Sequence, residues 1–366
     1  MGLWTSSLEG VVRLMVNLEF YRGKRVLVTG HTGFKGAWMC RILLGAGARV
    51  TGYALTPPTE PNLFALAGLE EEMQSVIGDI RDLEKLRKTF NEVSPEVVFH
   101  LAAQPIVRTS YEDPVYTYET NVMGTVNLME CVRTAKLPLR SVVNVTTDKV
   151  YLNREWCWGY REDEPLDGFD PYSNSKSCSE LVTHSYCNSF FKSQGIPVST
   201  ARAGNVIGGG DFARDRIIPD CIRAVTEKQP IIVRNPYSIR PYQHVLEPVM
   251  AYLMIAQRQA ERPELAGCYN VGPDDCDCVT TGELVELFCQ TWGEGATWET
   301  RSEQGAPHEA NFLKLDCTKL KTAFGWRPRW HIQDAVEKTA EWTKDWHAQK
   351  EVSSIMDQQL NEYLEV

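Results

Sequence analysis

Tyr172 and Lys176 stand four residues apart in YSNSK, and on a helix that spacing sends both side chains from one face. A free tyrosine titrates at about pH 10. An ammonium beside it stabilises the phenolate and makes it a base usable near neutrality. With 14 tyrosines in the chain, the pair alone is not specific. It gains meaning from Thr146, Thr147, Asp148 and Lys149 (TTDK), which end a short apolar run, the place where open α/β sheets bind ligands. Thr147 there can share a hydrogen bond with the same ligand oxygen as Tyr172. Asp148 as a turn or helix-cap residue is the plain alternative.

A second group lies near the N-terminus. Gly30, Gly33 and Gly36 in VTGHTGFKG follow an apolar run and open a helix-length segment. Glycines there permit a tight turn and let the backbone approach a pyrophosphate, which rests on the exposed amides of the helix start. This predicts a dinucleotide site. The acidic residue expected roughly 20 positions later to hold the ribose is missing, since the second run ends Gly52, Tyr53, Ala54, and the choice between NAD and NADP stays open. His31 and Lys35 could neutralise phosphate or be solvated. Asp79 in GDIRD could accept from an adenine amino group, or it or Asp82 could cap a helix.

The elements that must hold these groups alternate. Apolar runs at 25–29, 49–54, 75–77, 97–101, 141–146 and 198–203 predict buried strands, with helices near 34–46, 82–93, 114–136 and 173–194 between them. That rhythm predicts an α/β chain with a Rossmann-type, doubly wound parallel sheet. Past Gly210 the elements shorten among several prolines, and a smaller, interleaved C-terminal lobe is expected, with helices near 281–291 and 333–347.

Composition narrows the partners. The 366 residues are 43% hydrophobic and 23% charged, so a disordered or coiled-coil chain is excluded. A net charge of −10 repels phosphate backbones and argues against nucleic acid. No apolar run approaches the roughly 18 residues of a membrane span. Eleven scattered cysteines suggest free thiols in a reducing compartment. Cys276 and Cys278 lack a second ligand pair at zinc spacing, and no metal is expected. Residues 1–6 (MGLWTS) match a myristoylation pattern, but 1–20 is taken as an upstream extension without a signal peptide's apolar core, and Met15 is an alternative start.

The strings GHTGFKG (30–36), GDIRD (78–82), HLAAQ (100–104), TTDKVY (146–151), YSNSK (172–176), ARAGNVIGGGD (201–211) and RPYQHVLEP (240–248) closely resemble the extended short-chain dehydrogenase/reductases, and within them the nucleotide-sugar 4,6-dehydratases. The resemblance spans roughly residues 20–345, and TTDK with the last two strings is similar to the CDP-glucose branch. It implies NAD held by Gly30, Thr32, Gly33, Phe34, Lys35, Gly36, Asp79, Ile80, Leu101, Ala102, Ala103, Thr146, Tyr172 and Lys176. It implies a domain order of extension (1–20), NAD-binding Rossmann domain (21–204), substrate-binding lobe (205–350) and C-terminal tail (351–366). It further implies that Tyr172 takes the C4 hydroxyl proton, that Asp148 protonates the leaving C6 hydroxyl, and that the protein is a cytoplasmic homodimer through helices near 114–136 and 173–194. Lys149 departs from the wider family, which carries glutamate there as the C5 base. An ammonium serves as base only if its pKa falls; otherwise it stabilises an enolate. A nucleotide-sugar 4-epimerase is the enzymatic rival, and a non-catalytic cofactor-sensing scaffold the other.

A nucleoside diphosphate sugar needs a local cationic patch on so acidic a chain. Arg216 and Arg240 are the expected phosphate forks, with pairing to Asp215 or Glu247 as the plain alternative. Asn205 and Gln104 are expected to hydrogen-bond sugar or phosphate. His244 is expected near the Arg240 loop at the substrate, or else in the core. Trp156, Trp158 and Tyr160 either wall the pocket or simply pack.

Overall fold

Short β-branched runs bounded by glycine pair in parallel to make the central sheet. A computed structural model of the chain describes residues 16–135, 139–301 and 311–365; MGLWTS and Met15 lie outside them. The sheet's strands are β1 (Arg25–Thr29), β2 (Arg49–Ala54), β3 (Gln74–Ile77), β4 (Val97–His100), β5 (Ser141–Thr147), β6 (Val198–Ala203) and β7 (Cys268–Val271). Their order is β7-β6-β5-β4-β1-β2-β3, with every neighbouring pair parallel. Thr29 pairs with both Tyr53 and His100, and His100 with Asn144, so the carboxyl ends of β2, β1, β4 and β5 lie side by side. The strand order reverses between β1 and β4, and such a switch leaves a ligand crevice at the carboxyl ends.

The helices covering the sheet include α1 (Phe34–Gly45), α2 (Leu83–Val93), α3 (Gly124–Thr134) and α4 (Pro171–Tyr186). Trp38, Ala37, Met39 and Leu43 of α1 are fully buried in the main core. The helix expected over 114–136 is not continuous. Pro114–Tyr118 passes through a π turn, Glu119–Met123, before α3 begins, and α4 runs into a second π turn at Cys187–Phe191. The first π turn carries Asn121, whose amide reaches the Gln104 carbonyl (3.0 Å) and Ser175 Oγ (2.9 Å), tying the β4 loop to α4. Single π turns commonly occur at functional sites.

The C-terminal lobe is built from two-stranded pairs, 206–207 with 243–244, 239–240 with 279–280, and 231–233 with 298–300. Ile218, Leu284, Phe288 and Val336 centre its own core, supplied in part by α6 (Thr281–Trp292) and α7 (Ile332–His347). It is interleaved as expected, because α5 (Leu246–Glu261) and β7 return to the main core and sheet.

Within the 351–366 stretch expected as a tail, Val352–Glu365 forms a helix, α8, which buries Ile355, Met356 and Tyr363. Its anchor is Glu247 on α5, whose carboxylate accepts from Arg329 N (2.9 Å), Trp330 N (2.8 Å) and Tyr363 Oη (2.9 Å). Burial nevertheless pushes the Glu247 pKa up to about 7. A carboxyl raised on folding binds protons that the unfolded chain has lost, so its stabilisation is complete below about pH 4.5 and lost as pH rises through about 7. Glu247→Gln should therefore gain melting temperature over the parent as pH rises from 5 to 8, by up to about 3 kcal/mol in free energy. Parallel melting curves across that range would contradict it.

Candidate active site

The switch-point crevice is a cleft of about 1920 Å³ between the sheet's carboxyl edge and the C-terminal lobe. Strand β5 ends at Thr147, and the chain turns at once through Asp148–Val150. Thr147 Oγ1 donates to Asp148 Oδ1 (2.9 Å), and the same hydroxyl stands close enough to Tyr172 to lower its pKa. Asp148 is 1% exposed, and among the described residues nothing hydrogen-bonds its Oδ2. The close fit needs Gly204, where a Cβ would lie 2.6 Å from Pro241 and 3.2 Å from that oxygen. Burial raises the Asp148 pKa although Lys149, Arg240 and Lys35 pull the other way. A carboxyl so placed holds its proton more firmly than a solvated one. The helix-cap reading of Asp148 does not hold, because Thr147 takes the cap position.

Helix α4 starts where Asp170 accepts from Ser173 N (2.9 Å) and Pro171 supplies the first position, so Tyr172 and Lys176 occupy successive turns facing the cleft. Burial pushes the Tyr172 pKa up to about 12, opposed by the Thr147 hydrogen bond and the Arg216 guanidinium. This differs from the expectation for Lys176. Its Nζ donates to the Val145 carbonyl (3.3 Å), and burial with the nearby Lys35 charge lowers its pKa to about 8. Arg216 is a cation that lowers the Tyr172 pKa from across the cleft wall. Lys35, half-buried, falls to about 8 through burial and Arg216, with Asp148 and Asp211 opposing.

Beneath the site, Glu180 lies one turn past Lys176. It accepts from Thr146 Oγ1 (2.5 Å), Thr200 Oγ1 (2.7 Å) and Arg202 (3.0 Å), and the Arg202–Glu180 pair is almost fully buried. A buried pair with its remaining oxygens satisfied holds one geometry, because removing either partner strands a charge. This anchors α4 on β5 and β6.

Thr32, Phe34, Lys35, Ile80, Leu101, Ala102, Ala103, Asn205, Arg216 and Arg240 all line the cleft, as do Gly30, Gly33, Gly36, Thr146 and Lys149. Asp79 lines it too, with its carboxylate held by Arg81 (2.7 Å) and its pKa lowered, while Asp82 caps α2. Four expectations need correction. Gln104 reaches the cleft, but its amide is spent on Thr117, the Ile106 carbonyl and Ile106 N, so it shapes the turn after β4 rather than reaching for substrate. His244 is fully buried between Trp330 and Trp38 and accepts from Leu246 N, and burial drops its pKa to about 3; it is a core residue. His31 is likewise buried, bonded to Ser75 Oγ (2.8 Å) and lowered to about 4, so it carries no charge toward a phosphate. Arg216 pairs with Asp211 (2.9 Å), not Asp215. Tyr160 stacks on Tyr151 and Trp156 leans on Tyr160, which is packing, and Trp158 is exposed. Cys276 gathers with Asp277 and His331 rather than Cys278, but the Asp277 oxygens go to Ile332 N and His331, as a cap of α7.

Gly52, near the end of β2, has no room for a side chain. A Cβ there would overlap the His31 ring at 2.1 Å, so the end of β2 is packed against the glycine loop. The loop itself fits a dinucleotide. Gly30 has φ +78°, and a Cβ would meet Ala102 N at 2.7 Å, while at Gly36 it would meet the Gly30 carbonyl at 2.1 Å. Gly33 begins α1 without a side-chain cap, so the helix's first amides have no side-chain acceptor and face the cleft. Asn121 and Asp211 were not foreseen, since a single asparagine within a helix and a single aspartate after three glycines carry no periodic signal.

A switch-point sheet, a glycine loop opening α1 and a Tyr172–Lys176 helix define a dinucleotide-dependent extended short-chain dehydrogenase/reductase. Residues 27–339 match the family model described as GDP-mannose 4,6 dehydratase. A Salmonella typhimurium protein named CDP-glucose 4,6-dehydratase is 49% identical over 356 residues, 96% of this chain and 99% of its own length. A probable dTDP-glucose 4,6-dehydratase of Sinorhizobium fredii is 28% identical, covering 87% of this chain and 92% of its own. A Thermus thermophilus UDP-glucose 4-epimerase solved with NAD superposes with a TM-score of 0.75 at 26% identity, covering 87% and 98% of the two chains. The chain belongs to the nucleotide-sugar 4,6-dehydratase family.

Proposed function

We propose that this chain converts CDP-D-glucose to CDP-4-dehydro-6-deoxy-D-glucose with loss of water, using resident NAD. The observation that carries it is the buried Asp148 carboxyl, hydrogen-bonded to Thr147 in the same cleft that Tyr172 lines. Gly30–Gly36 and the start of α1 would hold the pyrophosphate, with Asp79, Ile80 and Leu101–Ala103 beside the rest of the cofactor and Lys176 at its nicotinamide ribose. Bound there, NAD would supply a reversible hydride acceptor, for oxidation at C4 and reduction at C6, so the overall reaction would be redox-neutral.

Tyr172 takes the C4 hydroxyl proton, with Thr147 sharing the same oxygen and the Arg216 charge favouring the phenolate. The resulting 4-ketone acidifies the C5 hydrogen. Lys149 is the group assigned to C5: when neutral it takes the C5 proton as water leaves and gives it back to C5 as hydride adds to C6, whereas when charged it would only stabilise the enolate and leave the C5 proton without an acceptor. Asp148 gives its proton to the C6 hydroxyl as it leaves as water. Arg240, buried beside Asp148, and Asn205 are assigned to the substrate. The identity of base and sugar is supported by the 49% identical relative. A 4-epimerase would have no task for a protonated Asp148. Incubation of the purified protein with CDP-, dTDP- and GDP-hexoses should yield a product lighter by one water from CDP-glucose alone. Inversion at C4 without that loss would overturn the proposal.

We also assign the chain to a homodimer. Val115, Met123, Leu181 and Phe190 leave apolar side chains exposed along the 114–134 and 171–194 helices. Light scattering should give twice the chain mass, and Leu181→Glu should halve it. Eleven free cysteines suit a reducing, cytoplasmic setting. Among the described residues no helix is long and apolar enough to cross a membrane.

A further inference from the structure

Outside the cleft, a thiol, a carboxylate and an imidazole from two distant segments of the C-terminal lobe face one another. Cys276 and Asp277 lie in the short turn Asp275–Asp277, and His331 caps α7, 54 residues beyond Asp277. One ligand atom from each lies within 4.8 Å of the other two. Asp277 Oδ2 is 2.9 Å from His331 Nδ1 and 3.7 Å from Cys276 Sγ, while its Oδ1 accepts from Ile332 N (2.9 Å). A tetrahedral ion held at about 2.0 Å by oxygen or nitrogen and at about 2.3 Å by sulfur spaces its ligands about 3.3–3.5 Å apart. Small side-chain rotations therefore bring all three groups onto one ion.

The surroundings favour a cation. Asp274, Asp275 and Asp334 join Asp277 at this corner, against Lys321 on Asp274 and Lys314 on Asp275. Without a metal, a proton does the joining, since the hydrogen bond and charge of Asp277 raise the His331 pKa. Burial and the same carboxylate raise the Cys276 thiol as well. A divalent ion reverses that bias, because its charge stabilises the thiolate and its bond needs the neutral imidazole. Sulfur and nitrogen donors select zinc and its neighbours, whereas magnesium and calcium take oxygen. Cys276 and His331 are exposed and open to an arriving ion, while Asp277 is buried and fixed on α7.

We propose that Cys276, Asp277 and His331 form a site for a zinc-class divalent ion, with water as the fourth ligand. Binding releases the thiol proton and the proton held between His331 and Asp277, and the Asp277 Oδ1 bond to α7 is kept. The ion pins the Asp275–Asp277 turn to α7. That turn leads straight into the 279–280 strand, whose Val279 pairs with Arg240 of the cleft, so the pin steadies a wall of the site. The ion is independent of the nucleotide-sugar reading.

The experiment strips the full chain with a chelator under reducing conditions, then titrates it with cobalt(II) and, against a chromophoric chelator, with zinc. Cobalt reports its ligands, because a thiolate adds an intense near-ultraviolet charge-transfer band and a tetrahedral site strong visible bands. The parent should bind one ion per chain with both signals. Cys276→Ser should lose the charge-transfer band. His331→Asn keeps a good cap residue and a donor toward Asp277. It should weaken zinc by at least about 10-fold, since losing even a hydrogen-bond partner of a metal ligand costs about 10- to 100-fold. Cys157→Ser, at another exposed cysteine, should change neither signal. Zinc should raise the melting temperature of the parent more than that of either ligand variant. An ion bound without the charge-transfer band, a band that survives Cys276→Ser, or equal zinc affinity in His331→Asn overturns the proposal, as does a parent that binds neither ion.

Discussion

Tyr172→Phe should lower turnover by about a hundred- to ten-thousand-fold, the range contributed by a positioned acid or base, with affinity for the cofactor unchanged. The substitution removes one oxygen and little else. The ring is 9% exposed, so its packing persists, and the start of α4 depends on Asp170 and Pro171 rather than on the phenol. What is lost is the phenol oxygen assigned to take the C4 proton, in a place where the Arg216 charge favours the phenolate. Steady-state kinetics beside a cofactor-binding titration separate the two effects. Turnover within tenfold of the parent would mean that the proton goes elsewhere.

Asp148→Asn is expected to lose dehydration to a similar extent while leaving C4 oxidation open, because the amide cannot give a proton to the departing C6 hydroxyl but leaves Tyr172 and Thr147 in place. Mass spectrometry of mixtures quenched within one turnover should show sugar oxidised at C4 with its C6 hydroxyl retained. Stability moves the other way. Burial raises the Asp148 pKa on folding, so its neutral form stabilises the fold at low pH, and that contribution is lost as pH rises through the folded-state value. An asparagine is neutral throughout. The variant should melt no lower than the parent at neutral pH, with an advantage that grows as pH rises. A variant that dehydrates normally would remove Asp148 from the reaction, and one that unfolds would show that its carboxylate is structural.

Some of this was legible without coordinates, for a local reason. Apolar runs such as RVLVT and SVVNVTT mark buried parallel strands wherever they occur, and β1, β2 and β6 begin and end at the residues expected. The i, i+4 spacing of Tyr172 and Lys176 and the position of TTDK at a strand's end follow from helix and strand periods, and both faced the cleft as expected. Gly30 and Gly36 read correctly because a tight turn excludes every other side chain.

What the chain alone determined was therefore the sheet, the glycine loop and the residue types available for acid–base chemistry, since these depend on neighbours within a few positions. Which of them carry charge into the cleft was decided only by packing. His31 and His244 look like phosphate or substrate ligands in the linear chain, yet one fills the space left by Gly52 and the other is wedged between two tryptophans, where burial keeps both neutral. The Arg216 charge reaches Tyr172 from a distant loop, and the Val352–Glu365 helix is tied down where Tyr363 donates to Glu247, 116 residues earlier. Charge and desolvation act through space, and side chains brought together from distant segments have no shared period in sequence to announce them.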